Sequence, residues 1–96
     1  MTKRALIQSK FGNRCAYCGK ELDYNAVTLD HVIPKSKGGT REEGNLYPAC
    51  QKCNRLKRDL SLDDFRKMIG GLFYFERKAK HERELLDKIA RIQEGV

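Results

Sequence analysis

The sequence predicts a small α+β domain, a two-stranded hairpin backed by helices. Three observations carry this. A run rich in branched apolar residues, Ala26 to Ile33, is followed by a polar loop and a second short run, Leu46 to Ala49. From Cys50 onward the apolar residues recur at helical spacing. Two matched Cys-x-x-Cys pairs flank the first half of the pattern. At 96 residues the chain makes one domain, 1–96, with a core over 1–60 and a helical extension over 61–96 packed on it.

Each element has a local cause. Residues 3–11 predict a short helix with Leu6, Ile7 and Phe11 inward, ended by Gly12-Asn13. Cys15-Ala-Tyr-Cys-Gly19 reads as a compact turn. Residues 26–33 read as a strand whose regular pairing Pro34 ends. Residues 35–45 form a polar loop with glycines, and 46–49 suit a second strand. Cys50 to Arg58 read as a turn running into a helix. Ser61 with Asp64 resembles a capping box, followed by Leu62, Phe65, Met68 and Ile69 at helical spacing. Gly70-Gly71 breaks that helix. A longer amphipathic helix spans 72–94, with Phe75, Ala79, Leu86, Ile89 and Ile92 inward.

Lys and Arg number 20 against 13 Asp and Glu, a formal net charge of +7. Such an excess makes nucleic acid the first partner to consider and a membrane surface the second. The apolar runs are too short to span a bilayer. The first residues, Met1 to Gln8, lack an apolar stretch of signal-peptide length, so a cytoplasmic protein with reduced cysteines is expected.

Under reducing conditions Cys15, Cys18, Cys50 and Cys53 favour a metal over disulfides. Each pair offers two thiolates from one tight turn, and two facing turns make the tetrahedral four-sulfur site typical of structural zinc. A disulfide framework and a redox dithiol are the alternatives; the first lacks an export signal and the second a βαβ context. Four thiolates and one Zn²⁺ contribute −2, so the net charge falls from +7 to +5 and stays basic. The 31 residues between the pairs exceed the spacing of a plain zinc ribbon.

Those intervening residues hold Asp30-His31-Val-Ile-Pro34, Gly38-Gly39 and Asn45, and Asn54-x-x-Lys57 follows Cys53. Phosphodiester hydrolysis needs a base for water and positive charge for the developing oxyanion and the leaving oxygen. A histidine beside a carboxylate offers a base and a metal ligand together. A neutral amide can complete a weak oxygen site for Mg²⁺. Neighbours on a strand face opposite sides, so the strand should twist, bulge or end near His31 if both residues serve one site.

Over roughly residues 12–60 the pattern resembles the HNH endonucleases, the ββα-metal nucleases, in their HNN variant. The resemblance implies that a hairpin and the helix from Cys50 clamp a catalytic Mg²⁺ or Mn²⁺. It makes His31 the general base, Asp30 one metal ligand, Asn45 the residue that holds the loop and His31 in place, and Asn54 the second ligand through its amide oxygen. It implies DNA hydrolysis leaving 5′-phosphate and 3′-hydroxyl ends. Lys52, Arg55, Lys57 and Arg58 would contact phosphates, with Lys35, Lys37 and Arg41 as weaker candidates. His81, among charged neighbours, reads as a solvated residue. Tyr17, Tyr24 and Tyr47 read as packing residues. The C-terminal helices could serve as a homodimer or protein-partner surface. The rival reading is a zinc-stabilised nucleic-acid-binding module without catalysis, which leaves Asp30-His31, Asn45 and Asn54 unexplained.

Overall fold

The computed structural model describes residues 2–94, with side chains through Arg91. Helix α1 spans Lys3–Lys10, with Thr2 Oγ1 accepting from the Ala5 N–H at its start. Strand β1, Thr28–His31, pairs antiparallel with β2, Leu46–Ala49, in the register Thr28 to Ala49 and His31 to Leu46. Helices α2 (Gln51–Lys57), α3 (Leu62–Ile69) and α4 (Tyr74–Glu94) follow.

The hairpin is short because its ends have other bonding to do. Val32 donates to the Asn45 carbonyl, and Pro34 starts a 3₁₀ turn over Lys35–Lys37. The first strand therefore covers only the middle of the expected 26–33. Pro48 is tolerated in β2 because a two-stranded sheet has only edge strands. At Gly39 a Cβ would lie 1.6 Å from the Ile33 carbonyl oxygen. Only glycine lets the loop return so closely onto the end of β1.

The core is aromatic. Tyr17 meets Phe73 at 4.9 Å and Phe65 at 5.1 Å between ring centroids, both nearly edge-on. Phe11, Tyr47 and Phe75 extend the cluster. Edge-to-face pairs of this kind add about 0.5–1.5 kcal/mol each beyond burial. Phe73, fully buried, precedes α4 and has no helical periodicity to announce it. Two backbone bonds, Tyr74 N–H to the Tyr17 carbonyl and Phe75 N–H to the Ala16 carbonyl, dock the start of α4 on the first cysteine turn. A Cβ at Gly19 would come within 2.6 Å of the Tyr74 ring, so this contact also needs glycine.

Several inward expectations are corrected. Leu6 is 40% exposed, whereas its neighbour Ile7 is buried. Met68 and Ile69 lie half in solvent. In α4 only the first turn packs; Ala79, Leu86 and Ile89 are exposed, as are the other side chains from Arg77 to Arg91. After Glu76 the described side chains of the helix are exposed, with Arg77, Lys78, Ala79 and Glu82 still edging grooves on the body of the domain. The side chain of Ile92 lies outside them.

Candidate metal centre and catalytic cleft

The four cysteine sulfurs all lie within 4.8 Å of one another. Cys18 and Cys50 Sγ are 3.7 Å apart. A tetrahedral site with metal–sulfur bonds near 2.3 Å needs sulfur separations of about 3.8 Å, so the cluster fits zinc. The two turns are built alike: Cys15 Sγ accepts from the Cys18 N–H at 3.5 Å, and Cys50 Sγ from the Cys53 N–H at 3.4 Å. Burial pushes the Cys18 and Cys53 thiols up. Burial also opposes ionisation of Cys50, but the Cys53 N–H and the neighbouring thiols outweigh it and hold Cys50 below its ordinary value. A divalent ion would draw all four to thiolate.

Asp30, His31, Pro34, Lys35, Ser36, Asn54, Arg58 and Asp59 line one open cleft. Asp30 and His31 reach it together because β1 ends at His31. Asn54 reaches it from α2, and Arg58 from the residue that ends that helix. Arg58 closes α2 with φ +50°, a backbone region side chains seldom adopt. His31 Nε2 is buried and has no hydrogen-bond partner among the described residues. A buried polar atom without a partner is uncommon, and beside a cleft a bound water or ion would account for it.

Asn45 stands behind the cleft. Its Oδ1 accepts from the Ile33 N–H at 2.8 Å, and its Nδ2 donates to the carbonyls of Thr40 at 2.8 Å and Ile33 at 3.1 Å. It thereby ties both ends of the loop to the residues just after His31.

The buried centre of the site is a triad. Asp30, 4% exposed, accepts from the Tyr17 hydroxyl at 2.5 Å through Oδ2. Lys57 Nζ lies 3.2 Å from Oδ2, 3.4 Å from Oδ1 and 2.9 Å from the His31 carbonyl oxygen. Burial first, then the Asp30 charge, push the Tyr17 hydroxyl far above its ordinary range, so it is the donor. An ionised carboxylate offers about four lone-pair directions. Tyr17 and Lys57 occupy three, which leaves one on Oδ1.

The proposed phosphate contacts separate. Lys57 is fully buried and is no surface contact, which corrects its expected role. Cys50, Cys53 and Lys57 sit three and four residues apart, on the inward stripe of α2, and that spacing was visible in the sequence. Arg58 and Lys35 line the cleft. Lys52 and Arg55 instead line a neighbouring groove over the cysteine site, together with Lys20 and Arg77, which sequence reasoning missed. Lys37 faces a different groove, near Ser61 and Leu62. Asp59 and Ser36 were also missed; neither belongs to a motif.

The family profile described as HNH endonuclease matches residues 15–69, more than half of the chain. The CRISPR-associated endonuclease Cas9 of Actinomyces naeslundii is 40% identical over 47 residues, covering 48% of this chain and 4% of that protein. Cas9 of Corynebacterium diphtheriae is 36% identical over 45 residues, again 4% of its length. The SPbeta prophage-derived protein YoqL of Bacillus subtilis is 27% identical over 81 residues, covering 73% of this chain and 34% of the relative. The chain thus spans a small part of the length of these relatives. The crystal structure of the Type II-C Cas9 from A. naeslundii superposes with a TM-score of 0.64 at 30% identity, covering 71% of this chain and 8% of that one. On the profile match, the cysteine quartet and the hairpin-helix architecture together, this chain belongs to the HNH endonuclease family.

Proposed function

We propose that this protein is a metal-dependent endonuclease that hydrolyses DNA, with His31 as general base and one divalent ion held by Asp30 and Asn54. The observation that carries the reading is the buried, unpartnered Nε2 of His31 in the same cleft as Asp30 and Asn54. When bound, Mg²⁺ or Mn²⁺ would supply positive charge to the scissile phosphate and the departing 3′ oxygen. His31 takes a proton from the attacking water. Asn45 keeps His31 in place by fixing the backbone that follows it. Arg58 and Lys35 neutralise phosphates at the cleft, and Lys52 and Arg55 hold the backbone further along α2. Zn²⁺ at Cys15, Cys18, Cys50 and Cys53 is structural. Residues 1–60 form the working core and 61–96 its extension. The exposed Leu85, Leu86 and Ile89 of α4 are where a second copy would sit.

One observation favours the non-catalytic rival: Asp30 is already engaged by Lys57 and Tyr17, as a structural ion pair would be. Nicking of supercoiled plasmid decides. Wild type should cut with Mg²⁺ and stop with EDTA, while His31→Ala should lose about 10²- to 10⁴-fold in rate and keep its zinc and DNA affinity. Near-wild-type cutting by His31→Ala would remove it as the base, and an inert wild type would favour the rival.

A further inference from the structure

Tyr17 lies between Cys15 and Cys18, on the turn that zinc would hold. Its ring is 3% exposed and packs on Phe65 and Phe73. Phenylalanine would satisfy that packing equally, so the hydroxyl needs its own explanation. It leaves the aromatic cluster to meet Asp30 Oδ2. Lys57, carried by the helix that begins at the second cysteine pair, grips the same carboxylate. Asp30 is thus held between two groups, one on the first cysteine turn and one at the end of the helix that starts at the second. Tyr17, Asp30 and Lys57 are all buried, so the link does not pass through solvent.

We infer that Tyr17 is a positioning residue for the cleft: its hydroxyl fixes the Asp30 carboxylate so that Oδ1 stays available to the divalent ion, and thereby couples the zinc staple to the reaction site. The inference rests on the nuclease reading above. Lys57 lies near both oxygens, at 3.2 and 3.4 Å, so the ammonium alone does not distinguish them. The hydroxyl bonds Oδ2 and not Oδ1, and so fixes which oxygen keeps its lone pairs freer for an ion. Hydrogen-bond partners of metal ligands commonly govern affinity or activity by about 10- to 100-fold.

The test compares wild type with Tyr17→Phe on zinc-loaded protein. Zinc content and melting temperature are measured first, then Mn²⁺ affinity by calorimetry, then kcat and KM for plasmid nicking. The expected result is retained zinc and folding, Mn²⁺ binding weakened by about 10- to 100-fold, kcat reduced and KM for DNA unchanged. Wild-type Mn²⁺ affinity in Tyr17→Phe would overturn the inference and leave Tyr17 a packing residue. A wild type that neither binds Mn²⁺ beyond its zinc nor cuts would overturn the nuclease reading itself, and the inference with it. Should Tyr17→Phe fail to fold, wild type with ¹³Cζ-labelled tyrosine answers instead. Mg²⁺ should then shift the Tyr17 resonance and leave that of exposed Tyr24 in place; an unmoved Tyr17 resonance overturns the inference.

Discussion

Lys57 has the side chain of a surface residue and the position of a core one. Its side chain is fully buried, and its ammonium has Asp30 and the His31 carbonyl as partners. Removing one partner of a buried ion pair leaves the other charge without compensation, at about 3–5 kcal/mol. Lys57→Ala should therefore lower stability by that order in a denaturant melt. The salt dependence of DNA binding, measured on the protein that remains folded, should keep its wild-type slope. A lost phosphate contact would instead reduce the slope by about one. At this scale the sequence was most legible where chemistry is carried by rare residue types. The cysteine quartet gathers, and Asp30, His31 and Asn54 share one cleft. It was least legible for lysines and arginines, because a long basic side chain gives no sign of which end it buries. Lys57 and Arg58 are adjacent and point to opposite fates.

Helices α3 and α4 are joined by an ion pair that also starts the second helix. Arg66 of α3 meets Glu76 with two bonds, at 3.0 and 2.9 Å, and lies over the Phe73 ring. Glu76 Oε1 also accepts from the Phe73 N–H at 3.1 Å, satisfying a donor just ahead of α4. Burial pushes the Glu76 carboxyl up, but Arg66 and the Phe73 N–H outweigh it and hold it below its ordinary 4.5. A carboxyl depressed on folding gives stability that is complete above its unfolded value and lost as pH falls through the folded one. Glu76→Gln should cost about 1–3 kcal/mol at pH 7. In thermal melts that difference should shrink below about pH 4.5, as the wild-type carboxylate takes up its proton. A gap that stays constant down to pH 3 would show that the loss lies in packing. Element boundaries were legible from caps: Ser61 does accept from the Asp64 N–H, and Gly70 ends α3 with φ +77°. The inward face of α4 was not. An amphipathic pattern reports that a helix has an apolar side, but whether another element covers that side is a matter of tertiary path. Leu86 and Ile89 are exposed for that reason.

The molecule measures 53 × 33 × 23 Å, with a small aromatic core for its length. A core of this size offsets little of the entropy of ordering the chain, so the zinc site should be required for folding. Zinc analysis should give one ion per chain, and chelation should abolish the cooperative melt, since structural zinc supplies roughly 10 kcal/mol or more. An unchanged melt after complete zinc removal would contradict this. The placement of α2 has a further consequence, in time. Cys50, Cys53 and Asn54 arrive together as the chain is made, after the hairpin and its loop. The cysteines that would close a zinc tetrahedron therefore arrive with the last of the proposed cleft ligands, Asn54. Under the proposed function, a nascent chain would hold no complete cleft before all four zinc cysteines have been made.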